Sequence, residues 1–131
     1  MLDLSWKDVG LYVDLLISEA EEDGFDLNRM TIWGVPRGGS IVAGLIQGKR
    51  DVVIVDDPED ADIIVDDILD SGATRDQYEK PFFTLVDKQE ERIDEWVHFP
   101  WEETPEQDIE MSVRRVIQWL GEDQNRSGLK D

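Results

Sequence analysis

Ile63-Ile64-Val65-Asp66-Asp67-Ile68-Leu69-Asp70-Ser71-Gly72-Ala73-Thr74 is the stretch on which the reading of this chain turns. An apolar run of strand length, Ile63 to Val65, is followed by three carboxylates, two small hydroxyl residues and a glycine. In open α/β sheets, ligands bind beyond the carboxyl ends of strands, where loops meet helix starts. Backbone amides from Asp70 to Thr74, with the Ser71 and Thr74 hydroxyls, suit a phosphate. The Asp66 and Asp67 carboxylates suit the opposite partners, sugar hydroxyls or a magnesium ion held through water. The plainer alternative is a solvent-exposed Asx turn with helix caps. Against it, two Asp directly after Ile-Ile-Val are costly unless something pairs with them.

Working outward, the neighbouring segments alternate between strand and helix. Residues 5–21 read as an amphipathic helix, with Ser5 and Asp8 as a capping pair, Val9, Tyr12, Val13 and Leu16 on one face, and Gly24 as a C-cap. Met30 to Val35 predicts a strand, Pro36-Arg37-Gly38-Gly39 a break, and Ser40 to Ile46 a helix closed by Gly48. Val52–Val55, Ile63–Val65 and Phe82–Val86 predict three further strands, with a short helical turn at Arg75 to Glu79. These runs are apolar without clean alternation, which points to strands buried on both faces of a parallel sheet. Trp96 to Phe99 is expected to be a further strand or edge segment. Thr104-Pro105, with periodic Ile109, Val113, Val116, Ile117 and Leu120, predicts a second amphipathic helix.

The 131 residues suit one core, and 40 % apolar content with five Trp argues for a folded domain. Cysteine is absent, which excludes thiol catalysis and disulfides and agrees with an expected cytoplasmic location. No apolar run approaches the length of a membrane span, and the N-terminus lacks the features of a signal peptide. With 32 acidic against 13 basic residues, a formal charge of −19, nucleic acid and anionic membranes are not expected partners. Such charge is also awkward for a phosphate-rich ligand, and magnesium bridging carboxylates to phosphates would resolve the conflict. Most of the acid outside residues 56–70 reads as solvated surface.

Trp33-Gly34-Val35-Pro36-Arg37-Gly38-Gly39 on its own is often no more than a tight turn. Arg37 stands out in so acidic a chain, because an arginine beside glycines offers bidentate bonds and open amides to a pyrophosphate.

Val65 to Thr74 resembles the ribose-phosphate signature of type I phosphoribosyltransferases: an apolar strand, two acids, two apolar residues, Asp, Ser or Thr, Gly, any residue, Thr. Every position fits. The resemblance implies that Asp66 and Asp67 contact ribose hydroxyls and a magnesium ion. It implies that Asp70, Ser71, Gly72, Ala73 and Thr74 grip the 5′-phosphate, and that Asp70 takes a catalytic place near N7 of a purine, as a proton acceptor or hydrogen-bond partner. The Pro36–Gly39 loop is similar to the family's pyrophosphate loop, in which a cis peptide often precedes the arginine. Pro36 departs from the usual small polar residue there. By this carry-over Pro36, Arg37, Gly38 and Gly39 bind pyrophosphate, and Arg37 assists catalysis.

Within that family the xanthine-guanine type is the nearest in pattern. Lys88, alone a surface lysine, then takes the position of the donor to the purine 6-oxygen. Asp94 to Glu102 resembles the hood over the base, with Trp96 as stacking platform and Val97 as backbone reader. Trp96, Phe99 and Trp101 otherwise read as core or interface residues. His98 reads as structural, since no nucleophile nearby calls for it.

The resemblance covers residues 30–102. It implies an α/β fold with a mostly parallel central sheet flanked by helices, within a domain spanning 1–104 whose first 29 residues form a helix and linker. Only five residues separate Val55 from Ala61, where the family carries a long lid over the reacting centre. Only seven separate Thr74 from Phe82, which shortens the crossover. Residues 105–131 form an expected helix and polar tail. Within them, 113–131 resembles the N-terminal segment of GTP cyclohydrolase I, without that enzyme's zinc ligands or catalytic residues.

The function expected from these readings is transfer of a 5-phosphoribosyl group from its pyrophosphate donor to an oxopurine. A nucleotide-binding module with weak or no turnover is the first alternative, and an adaptor for a cyclohydrolase-like partner or fusion the second. A homodimer is implied by the resemblance.

Overall fold

The computed structural model describes residues 1–102, of which 1–100 form one compact unit. The expected C-terminal helix and the segment similar to GTP cyclohydrolase I lie outside the described residues. No described helix is long and apolar enough to cross a membrane.

Among the described residues, six strands and three helices follow in chain order: β1 (Leu2–Asp3), α1 (Trp6–Glu22), β2 (Thr31–Gly34), α2 (Gly38–Gln47), β3 (Val53–Ile54), β4 (Ile63–Leu69), β5 (Phe82–Asp87), α3 (Lys88–Glu91) and β6 (Val97–His98). The α1 helix begins where the sequence predicts. Ser5 Oγ accepts from the Asp8 amide at 3.1 Å, and the Ser5 amide donates to Asp8 Oδ2 at 2.9 Å. Its buried stripe is Val9, Val13, Leu16, Ile17 and Ala20; Tyr12 sits at the margin, half-buried. The C-cap is Asp23, with Gly24 one residue beyond it at φ +96°.

The main sheet is entirely parallel, in the order β3-β2-β4-β5. β4 is a central strand, and Ile63, Ile64 and Val65 are all fully buried, which is why the sequence shows no alternation there. The α2 helix packs on β2 and β4, and α1 packs on β5. Trp33 alternates with the α2-facing positions of β2, and its ring meets Tyr78 at 5.6 Å, which in turn stacks on Phe82 at 6.3 Å. Tyr78 and Phe82 follow a crossover reduced to the 3-10 turn Arg75–Gln77, shorter than the turn expected to Glu79.

Three features differ from the sequence reading. First, β4 does not end at Val65. It continues through Asp66, Asp67 and Ile68 to Leu69, so the turn begins at Asp70. The cause is tertiary: β5 supplies partners for this stretch, with Asp66 opposite Thr84, Ile68 opposite Val86 and Leu69 opposite Asp87. Pairing overrides the poor strand propensity of two aspartates. Second, β1 was not anticipated; Leu2 and Asp3 pair in parallel with β6 as a separate two-stranded ribbon. Third, a short helix, α3, was not anticipated; Lys88 follows β5 as expected and opens this helix, whose start is capped by Asp87 accepting from the Gln89 and Glu90 amides at 3.0 Å.

From β2 the chain steps to β3 on one side, then returns across β2 to β4 and on to β5. The order therefore reverses between β2 and β4. In an open parallel sheet that reversal leaves a crevice at the carboxyl ends of the two strands.

Candidate functional site

Two loops leave the carboxyl ends of β2 and β4, and both carry residues singled out in the sequence. Val35 to Arg37 leads from β2 into α2; Asp70 to Thr74 follows β4. Gly34 and Gly39 bring the β2 end and the α2 start into close approach. A Cβ on Gly34 would lie 2.1 Å from the Gly39 carbonyl oxygen, and one on Gly39 would lie 2.6 Å from the Val65 carbonyl oxygen. The Val35 amide donates to the Val65 carbonyl at 2.9 Å, fastening the loop to β4. The Pro36–Arg37 peptide is cis. Arg37 is exposed and makes no ion pair among the described residues, although the chain is rich in carboxylates.

Gly38 joins the two loops. A Cβ there would fall 1.9 Å from Asp67 Oδ2, so the Asp67 carboxylate lies directly against the first residue of α2. Glycine leaves the room that this contact needs.

The two adjacent aspartates are not equivalent. Asp66 is buried, 8 % exposed, and its Oδ1 accepts from the Asp67 amide at 2.8 Å. Burial pushes the Asp66 carboxyl up to about 7, with the neighbouring Asp67 carboxyl adding to the rise and the amide hydrogen bond opposing it. Asp67 is half-exposed and faces the crevice at Gly38. Among the described residues no group of three or more His, Cys, Asp or Glu could hold a metal. A pair of carboxylate oxygens nevertheless fits magnesium, which takes one or two carboxylates and fills its remaining positions with water and substrate phosphate oxygens.

In the Asp70–Thr74 turn, Gly72 adopts φ +88°. The Ala73 amide already donates to Ser71 Oγ at 3.2 Å, so this amide is used within the turn, while the Ser71 hydroxyl keeps its own proton to donate. The amides of Ser71, Gly72 and Thr74 make no hydrogen bond among the described residues. Asp70 itself is exposed. Its carbonyl accepts from Gln89 Nε2 at 3.0 Å, and its carboxylate stands 3.9 Å from Lys88 Nζ. Asp70 and Lys88, which the sequence places 18 residues apart, are thus brought together across β4 and β5.

The hood residues are less closely tied to this crevice. The Trp96 indole is 68 % exposed, and Trp96 lies just outside β6 rather than within a strand. Trp96 and His98 turn their carbonyls to Leu2 and Leu4 of the N-terminal segment, at 2.7 and 2.8 Å. The carbonyl of Val97, between them, therefore points away from β1. His98 Nδ1 lies 2.9 Å from Asp3 Oδ1, in keeping with a structural role.

The connection from β3 to β4 is a capped 3-10 turn, Pro58–Asp60, with the Asp57 side chain accepting from the Glu59 amide at 2.9 Å. Lys80 donates to the Glu59 and Ala61 carbonyls and clamps this turn to the crossover. Elsewhere, a cleft of about 380 Å³ opens between α1, β5 and α3. Glu19, Asp23, Asp87, Glu90 and Glu91 line it, and such a surface repels phosphate.

The structure is similar to the crystal structure of a purine phosphoribosyltransferase from Pyrococcus horikoshii. The TM-score is 0.54 at 20 % identity, over 79 % of this chain and 95 % of that one. The fold is that of the type I phosphoribosyltransferases. The structure is also similar to that of a hypothetical protein from Neisseria gonorrhoeae crystallised with bound ppGpp. There the TM-score is 0.55 at 11 % identity, over 82 % of this chain and 93 % of that one. No protein-family profile matches the chain, and no curated protein sequence does.

One candidate escaped the sequence reading. Arg75, one residue past the turn, lies with its guanidinium against Gly72. The signal available in the sequence was an arginine directly after the Asp70–Thr74 turn in a strongly acidic chain.

Proposed function

We propose that this protein transfers a 5-phosphoribosyl group from phosphoribosyl pyrophosphate to the nitrogen of an oxopurine, releasing pyrophosphate. The contact between Asp67 and Gly38 carries this reading, because it joins an acceptor for sugar hydroxyls to the loop that would hold pyrophosphate.

The residues divide the work by charge. Arg37 and the Gly38–Gly39 backbone bind the pyrophosphate of the donor, and the open amides of Ser71, Gly72 and Thr74 bind its 5′-phosphate. Asp67 accepts from the ribose hydroxyls, held in place by the buried Asp66 beneath its amide. Asp66 and Asp67 would also hold the donor's magnesium, whose charge offsets that of the departing pyrophosphate. Lys88 donates to the purine 6-oxygen, and Asp70 takes the proton from the ring nitrogen as it attacks. Trp96 would stack on the base and the outward Val97 carbonyl would read its edge. The protein supplies position and electrostatics rather than covalent chemistry.

The clamped turn at Pro58–Asp60 favours a second reading, a nucleotide-binding module without turnover. Phosphoribosyl transfer passes through an oxocarbenium-like sugar that water attacks, and a lid normally excludes that water. The bound ppGpp of the Neisseria protein supplies a test ligand for this reading.

Incubation of the full chain with donor, magnesium and guanine, xanthine or hypoxanthine tests the first reading. Nucleotide and pyrophosphate should form in equal amounts, and the Asp66→Asn, Asp67→Asn double variant should abolish both. Tight calorimetric binding of GMP or ppGpp with no nucleotide formed selects the second reading. If neither binding nor turnover occurs, both readings fail.

A further inference from the structure

Gly72 is covered by a cation. Arg75 Nη2 lies 2.8 Å from the point where a Cβ on Gly72 would sit, so the guanidinium packs against the glycine at the centre of the Ser71–Thr74 turn. The chain is folded back to allow this: the Asp76 amide donates to the Gly72 carbonyl at 3.0 Å, and the Gln77 amide to the Thr74 carbonyl at 3.1 Å. Among the described residues Arg75 has one weak ion pair, Nε to Asp76 Oδ1 at 3.4 Å, with both side chains largely in water. Nothing described accepts from either Nη group.

We infer that Arg75 is a direct ligand of the phosphate that enters the Ser71–Thr74 turn, and sets its preference for phosphorylated over unphosphorylated ligands. The inference rests on the reading of that turn as a phosphoribosyl site and adds a residue to it. The physical need is local. Asp66, Asp67, Asp70 and Asp76 stand in or beside the turn, so open amides alone meet a phosphate dianion with surrounding negative charge. A guanidinium beside the Gly72 amide offsets that charge and directs its two Nη groups to phosphate oxygens. The alternative place for such a ligand, the cleft that Arg75 also lines, carries five carboxylates and repels it.

The test is calorimetric titration of the full chain with GMP and with guanosine, for the wild type, Arg75→Gln and Arg75→Lys. Arg75→Gln should weaken GMP binding about 10–100-fold, the range for a charge-assisted hydrogen bond to an anion, and leave guanosine unchanged. Arg75→Lys should recover part of the loss, since it restores the charge without the bidentate geometry. A purely packing role for Arg75 would weaken both ligands together, and that result overturns the inference. So does an Arg75→Gln variant that binds GMP as tightly as the wild type, and in that case the phosphoribosyl reading of the turn still stands. A wild-type chain that binds neither GMP nor phosphoribosyl pyrophosphate removes both.

Discussion

Lys88 Nζ stands 3.9 Å from the Asp70 carboxylate, although one residue opens α3 after β5 and the other begins the turn after β4. The Lys88 side chain is only 13 % exposed, whereas that of Asp70 is 76 % exposed. A buried ammonium at this separation holds a loose partner and keeps donors for another acceptor. Lys88→Ala is therefore expected to lower kcat/KM for the base about 10–100-fold, with the KM for the pyrophosphate donor unchanged. Steady-state kinetics with each substrate varied in turn checks this. An equal effect on both substrates would place Lys88 outside the base site.

Asp66 makes stability fall with rising pH in the absence of metal. Burial holds its folded-state value at about 7, above the 3.8 of an ordinary aspartate. Below about 4 both folded and unfolded chains hold the proton, and nothing is lost. Between the two values only the folded chain keeps it, so stability drops as pH rises, and above 7 the full cost of a buried carboxylate remains. Asp66→Asn removes this term and should be more stable than the wild type by on the order of 2 kcal/mol at pH 8, but not at pH 4. Urea melts of both chains in a chelating buffer measure the gap. A gap that is the same at both pH values would contradict the assignment.

Two glycine substitutions should act in opposite directions. A Cβ on Gly34 would meet the backbone at Gly39, which cannot yield without moving α2 off β2. Gly34→Ala is expected to destabilise by roughly 2–4 kcal/mol. Gly44, inside α2, has open space where its Cβ would go, and Gly44→Ala should stabilise by about 0.5–1 kcal/mol. Thermal melts of the two variants give the comparison directly.

With 32 acidic against 13 basic residues, a net charge of −19 remains even if every cation is paired. Self-repulsion among carboxylates therefore opposes folding at low ionic strength, and salt screens it. The melting temperature should rise by several degrees between low salt and molar potassium chloride. A flat or falling dependence would mean that pairs such as Arg50–Glu21, joined at 2.9 Å, outweigh the repulsion.

Much of the site was legible because its requirements are local. Gly38 and Gly72 are needed where backbone approaches a carboxylate or turns through positive φ, and the Ser5–Asp8 box marks a helix start within four residues. The extent of β4 was not legible, since Asp66 and Asp67 are held in the strand by Thr84 and its neighbours on β5. Leu2 and Asp3 were passed over for the same reason, because their strand partners lie at the far end of the described chain. Arg75 was missed because its contact with Gly72 depends on how tightly the short crossover folds back.

The amino-acid sequence by itself determined a parallel α/β core and the two glycine-bearing turns that leave it after β2 and β4, since buried apolar runs, glycines and hydroxyls act through short-range backbone chemistry. Tertiary structure alone decided that Asp66 is buried while Asp67 faces Gly38, that Lys88 meets Asp70, and that Lys80 clamps the Pro58–Asp60 turn. Each of these depends on register and topology between segments far apart in the chain, and proximity of that kind leaves no periodic mark on either segment.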